Sequence, residues 1–213
     1  MKLTQEQITQ FYNNGFLIIR NFAEHSLCEE ILQVAKQHLL KQTAPIESED
    51  QYLETKSKDL TVRRLRQVYD REQVFKTWMT NQDIKPILWQ LLKEQPILVL
   101  AHHNSIMTKM PKQSSRTSWH QDFRYWNYEN DNMVSVWLSL DEENLGNGLL
   151  EFIPNSHKMD FDKSQFDTKS NFLDKTEKNN LLLKTAVHSN LNKGDIVLFH
   201  CKTLHHANKN SSE

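Results

Sequence analysis

Cysteine and glycine are both scarce: two and four residues among 213. Cys28 and Cys201 form no CxxC pair and no disulfide framework, which points to a reducing, cytoplasmic setting. Long apolar runs are missing as well. The longest, Phe16 to Ile19 and Ile97 to Ala101, fall far short of the ~20 residues that a membrane span requires. The segment after Met1 turns polar at once, so no secretory hydrophobic region is expected. Nor is there an excess of either charge. Twenty-six basic against 27 acidic residues leave a net charge of −1, which excludes a polycationic nucleic-acid binder. What is present is an ordinary globular balance, 38% apolar and 25% charged. The length suits one large domain, 1–213, and would cramp two full cores. Ten histidines against four glycines is the unusual ratio, and it directs attention to metals.

Residues 1–95 read mainly as helix. Thr4 with Gln7 predicts a capping box ahead of Ile8, Phe11 and Tyr12, and Gly15 supplies a left-handed stop. Phe16 to Ile19 reads as a short buried strand. Ser26 with Glu29 predicts a second capping box before Leu27, Ile31, Val34, Ala35 and Leu39. Lys41 to Asp59 is polar and nearly patternless, a surface loop, and a third helix is expected over Asp83 to Leu92 with Pro86 in its first turn. From residue 96 the period shortens. Ile97–Ala101, Ser105–Lys109, Met133–Leu140, Leu149–Ile153, Leu181–Val187 and Asp195–His200 are strand candidates, with a polar excursion over Asn155–Asn180. Short strands in series without regular helical crossovers predict an antiparallel sandwich or barrel over 96–213.

Trp119-His120-Gln121-Asp122 contains His-x-Asp. In an extended segment, residues two apart share a side, so imidazole and carboxylate can grip one ion. A further histidine would complete the two-His, one-carboxylate triad that leaves three positions open, as in non-haem Fe(II) oxygenases. His102-His103 also resembles a metal pair, but adjacent strand residues face opposite ways, and the expectation is a half-exposed strand end. Cys201 beside His200 lacks the neighbouring glycines of an oxyanion hole and is not expected to act as a nucleophile. Arg63-Arg64-Leu65-Arg66 reads as a solvated or substrate-facing surface. Trp119, Tyr125 and Trp126 could fill core or line a pocket.

Four ordered segments carry a family resemblance. Trp119-His120-Gln121-Asp122-Phe123-Arg124-Tyr125-Trp126 resembles the WHQDxxYW stretch of the phytanoyl-CoA dioxygenase family. Trp137-Leu138-Ser139-Leu140-Asp141, Asn147-Gly148 and Ile153-Pro154-Asn155-Ser156-His157 are similar to its W-x-x-L-D…N-G…P-G-S-H, with Asn155 replacing a glycine. Gly194-Asp195 through Phe199-His200, then Leu204-His205 and Asn210, match its G-D-x-x-x-F-H…x-H…N, and Leu3 to Arg20 matches its first helix and strand. The resemblance implies a mainly β protein with flanking helices: a double-stranded β-helix (jelly roll, cupin-like) core over 96–213, buttressed by the helical part over 1–95.

The resemblance further implies His120, Asp122 and His205 as iron ligands, with His200, His206 and His188 as competitors for the third place. It implies Fe(II) as cofactor and 2-oxoglutarate as cosubstrate, with Lys109, Gln121 and Trp137 near the cosubstrate. The cation expected for the far carboxylate of 2-oxoglutarate would fall about eleven positions after His205, past Glu213, so the native chain is expected to continue; Arg116 and Arg124 could also reach the site. The implied reaction is oxidative decarboxylation of 2-oxoglutarate to succinate coupled to hydroxylation of a small molecule at a C–H bond, in a protein with no nucleic-acid or membrane partner. The alternatives are a redox-silent cupin-like metalloprotein using Zn(II) or Mn(II), and a non-catalytic binding protein. The sequence specifies neither the substrate nor the oligomeric state.

Overall fold

The computed structural model describes residues 1–53 and 60–213. Helix α1 (Gln5–Asn14) opens on the expected Thr4/Gln7 capping box and closes on Gly15 at φ 84°. Strand β1 (Phe16–Ile19) follows directly. Helix α2 (His25–Leu40) starts one residue ahead of Ser26, with Glu24 at its N-cap and no side-chain cap bond, so the Ser26/Glu29 capping box does not form. With His25 already helical, the Ser26 hydroxyl lies inside the first turn instead of preceding it. The polar stretch after α2 is not simply loop. It contains β2 (Ile46–Ser48) and a single 3-10 turn over Glu49–Gln51, while positions 54–59 lie outside the described residues. Next come β3 (Val62–Arg66), α3 (Gln73–Met79) and α4 (Lys85–Leu92), the last with its proline in the first turn as expected. Both β3 and α3 escaped the sequence reading.

Beyond residue 96 the chain forms β4 (Ser105–Met107), β5 (Thr117–His120), β6 (Val134–Leu138) and β7 (Leu150–Phe152), then α5 (Glu177–Leu183), β8 (Val187–His188), β9 (Ile196–His200) and β10 (His205–Ala207). Two strand expectations fail. Ile97–Ala101 forms no strand, pairs with no sheet and leaves Ile97 83% exposed. Within Leu181–Val187, Leu181 to Leu183 end α5, which Thr176 caps through the Asn179 amide, a turn follows, and Val187 alone joins a strand, β8. An apolar run this short fits either a helix or a strand, and the cap lying upstream decides it.

Two antiparallel sheets face each other, in the orders β1-β9-β6 and β5-β10-β7-β8, and a third, β2-β3-β4, flanks them. Alternation along β1 and β9 explains the layering. Leu17, Ile19, Ile196 and Leu198 turn outward and join Phe11, Ile87 and Leu91 of α1 and α4 in one cluster. Phe16, Val197 and Phe199 turn inward and meet Leu150, Phe152 and Ala207 of the second sheet. The register holds this in place, with Phe16 opposite Phe199 and Ile19 opposite Ile196. The outer face of the second sheet is covered by the excursion: Phe166 and Phe172 pack on Trp119, Ile153 and Leu204. This is the jelly-roll, double-stranded β-helix architecture expected from the sequence, with helices buttressing one sheet. Among the described residues, no helix is long and apolar enough to cross a membrane.

Candidate metal centre

Strand β10 pairs with both β5 and β7, and this central place sets up the site. His205 lies opposite His120 of β5 on one side and Phe152 of β7 on the other. All three side chains point between the sheets, where Phe152 and Phe199 wall the His205 ring at centroid distances of 5.9 and 4.9 Å. Strand β5 ends at His120, and Asp122 opens a 3-10 turn, Asp122–Tyr125. Gln121 between them keeps extended angles, φ −115° and ψ 125°, so the two-residue alternation persists and Asp122 returns to the side of His120.

The three side chains converge. His120 Nε2 lies 3.4 Å and His205 Nε2 3.7 Å from the same Asp122 oxygen, Oδ1. One ligand atom from each of the three lies within 4.8 Å of the others. An ion about 2.0–2.2 Å from each donor fits between atoms at this spacing. The imidazoles are also oriented for it. His120 Nδ1 lies 2.8 Å from the Ser118 carbonyl, and His205 Nδ1 lies 2.9 Å from the Thr203 carbonyl. A carbonyl only accepts, so each Nδ1 carries the proton and each Nε2 turns its lone pair to the centre.

Burial tunes the set. Desolvation lowers the His205 pKa to about 4, so this ring is neutral and able to ligate at physiological pH. Desolvation alone would raise the Asp122 carboxyl, but the His103, His205 and His120 rings facing it override that and hold the pKa well below the carboxylate range. Ser135 of β6 donates to Oδ2 at 3.3 Å. The donor set, two imidazoles and a carboxylate on one side of an open space, fits a first-row divalent ion with free positions.

The remaining sequence candidates divide. His206 turns to the opposite face of β10, where its ring lies on Trp119 at 4.0 Å and Nε2 meets Glu151 at 3.0 Å. His188 contacts the other Glu151 oxygen at 3.5 Å. His200 packs against His157 near Gly15, away from the cluster. Lys109 Nζ donates to the Ser115 and Asn208 carbonyls, and desolvation lowers its pKa to about 8. Gln121 is buried with its amide committed, donating to the Lys202 carbonyl and accepting from Arg124. The Trp137 indole N–H donates to Glu143 at 2.8 Å. Arg116 pairs with Asp174, and Arg124 lies over the Phe166 ring. The Cys201 thiol is buried and its pKa pushed up to about 12, in line with an inert role.

Two residues depart from expectation. Arg63 is not solvated but 3% exposed, held by Glu47, Glu49, Ser115 and Thr117. Partnering of this kind is what makes a buried guanidinium tolerable. Strand alternation beside Leu65 could have signalled this inward turn. His103 does not end a strand; its Nε2 reaches Asp122 Oδ1 at 3.4 Å. No sequence signal places it there, because it comes from a different segment of chain. Asn155 stands where the resemblance expects glycine and adopts φ 65°, the left-handed angle that asparagine tolerates.

Comparison with known proteins agrees with this geometry. The chain is 27% identical to a probable alpha-ketoglutarate-dependent hypophosphite dioxygenase of Stutzerimonas stutzeri, over 97% of this chain and 73% of that protein. It is 25% identical to the peroxisomal phytanoyl-CoA dioxygenase of Homo sapiens over 99% of its own length, and spans 65% of that relative. Among solved structures, EctD from S. alaskensis with bound Fe matches with a TM-score of 0.77 at 18% identity, covering 99% of this chain and 72% of that one. The non-heme alpha ketoglutarate dependent carbocyclase SnoK from nogalamycin biosynthesis matches with 0.73 at 17%, covering 99% and 79%. The family model for phytanoyl-CoA dioxygenase (PhyH) matches residues 11–213. With that model spanning both facing sheets and every residue of the converging triad, the chain belongs to the phytanoyl-CoA dioxygenase family.

Proposed function

We propose that this protein is an Fe(II)- and 2-oxoglutarate-dependent dioxygenase that hydroxylates a small molecule at a C–H bond, with His120, Asp122 and His205 as the iron ligands. The observation that carries the reading is the convergence of two tautomer-fixed imidazoles on one buried carboxylate oxygen. When bound, iron and 2-oxoglutarate supply the oxidising chemistry. The chain's own work is to hold the ion on one side, keep the other positions open and limit water around them. Phe152 and Phe199 serve the last role at His205, and Tyr125 lies edge-on to His120 at 5.8 Å. Lys109 and Trp137 are read as the cosubstrate-facing pair: one a half-buried cation held by two carbonyls, the other an indole fixed by Glu143. Gln121 is read as serving the same pocket by bracing the turn that carries Asp122, since its amide ties that turn to Lys202. Free, buried Cys28 and Cys201 support a reducing, cytoplasmic setting.

The test is iron-dependent turnover. Anaerobic Fe(II) followed by 2-oxoglutarate should produce the weak visible charge-transfer band of the chelate. Admission of oxygen should then release succinate, and His120→Ala or His205→Ala should abolish both signals. Iron binding without succinate release across a panel of small-molecule substrates would refute the reading.

A further inference from the structure

His103 lies in none of the segments that identify the family, yet it is as close to the centre as a ligand. Its Nε2 is 3.4 Å from Asp122 Oδ1, equal to the His120 distance and shorter than the 3.7 Å of His205. The chain reaches this place through an uncommon backbone. His103 adopts φ +55°, a left-handed angle that residues with a Cβ rarely take. The turn is pinned on its C-terminal side by Asn104, which is buried; its side-chain oxygen accepts the Tyr69 amide at 2.8 Å and its carbonyl accepts the Val68 amide at 3.3 Å. On the N-terminal side the His102 ring stacks on Trp126 at 5.4 Å and meets Tyr128 edge-on at 5.8 Å. His103 itself meets Trp126 edge-on at 5.0 Å. Between these anchors the imidazole Nε2 is carried to within 3.4 Å of the carboxylate while its side chain remains 40% exposed. Unfavourable backbone angles that the surroundings enforce tend to gather at functional sites.

Building on the iron-site reading above, we infer that His103 is a positioning residue of the metal centre: its ring N–H holds Asp122 Oδ1, as the Ser135 hydroxyl holds Oδ2, so that the carboxylate is oriented before the ion arrives. A ligand role fits less well. Four protein ligands would leave two open positions on an octahedral ion, whereas a cosubstrate binding through two atoms and dioxygen need three. Outer partners of ligating carboxylates characteristically influence metal affinity by 10–100-fold. The residue at position 103 therefore sets how tightly this chain retains its ion.

The test uses Co(II) as a spectroscopic probe with the full chain. His103→Asn keeps a residue that tolerates the left-handed turn but is too short to reach Asp122. It should weaken Co(II) binding about 10–100-fold while leaving the shape of the cobalt d–d bands and the melting temperature of the metal-free protein unchanged. His103→Gln restores a donor at similar reach and should recover most of the affinity. Unchanged affinity in His103→Asn overturns the inference. Loss in both variants with altered band shape also overturns it, by making His103 a ligand. If the unsubstituted protein fails to bind Co(II) at all, the metal-centre reading itself fails and takes this inference with it. Should His103→Asn not fold, His103→Ala read against His103→Gln decides by the same criteria.

Discussion

His205 stands directly opposite His120 across the antiparallel pairing of β10 with β5, their ring centroids 4.3 Å apart. Between His205 and Ala207 the register shifts, so Ala207 faces Thr117 where a regular ladder would present Ser118. Two histidines eighty-five positions apart thus meet as a cross-strand pair, and the irregularity falls immediately beyond them.

That pairing ranks the C-terminal histidines. His205→Ala is expected to abolish retention of a divalent ion, whereas His206→Ala should retain it. The second substitution removes the close contact with buried Glu151 and the packing on Trp119, so it should cost about 1–3 kcal/mol of stability. Metal content after gel filtration, read beside thermal unfolding, checks both; the reverse ranking would move the third ligand by one residue.

Gly148 tests the support behind β10. It adopts φ 86°, and an added Cβ would lie 2.4 Å from the Asn208 carbonyl oxygen, a backbone atom that already accepts from Lys109. Gly148→Ala should therefore destabilise by at least about 2 kcal/mol, the left-handed penalty plus a backbone displacement. Urea denaturation measures this, and a loss below about 0.5 kcal/mol would contradict the close approach.

Glu143 predicts a pH dependence. Desolvation raises its pKa to about 7 from an ordinary 4.5, against opposing hydrogen bonds from Trp137 and Ser139. Because the folded value lies above the unfolded one, its contribution to stability is complete below about pH 4.5 and is lost as the pH rises through about 7. Glu143→Gln should therefore gain on the unsubstituted protein across that window, by up to about 3 kcal/mol. Unfolding free energies of both proteins at pH 5 and pH 8 provide the comparison; parallel behaviour would place the titration elsewhere.

Neither thiol should react in the folded state. Cys28 and Cys201 are both fully buried, and desolvation raises both pKa values, that of Cys201 to about 12. Iodoacetamide at neutral pH should label neither until denaturant is added, which mass spectrometry reads directly. Rapid native labelling of Cys201 would reopen a role for the His200–Cys201 pair.

What the sequence determined by itself was local or periodic. Thr4, Gln7 and Gly15 bound a helix through contacts within a few residues, and alternation along Phe16–Ile19 and Ile196–His200 sorted one face toward the helices and the other toward the second sheet. His-x-Asp carried its geometry in two residues of extended backbone, and the ordered motifs supplied the fold through resemblance. Tertiary structure alone decided whatever depended on a partner distant in the chain. Ile97–Ala101 has strand composition, yet the fold leaves it outside every sheet, with Ile97 exposed. Arg63 looked solvated until Glu47, Glu49 and Ser115 enclosed it. His103 reaches Asp122 because Asn104 and Trp126 fix a left-handed turn between them. A side chain's direction is local chemistry, but what it meets there is set by packing between segments, and for His205 the decisive partner was the strand on either side of it.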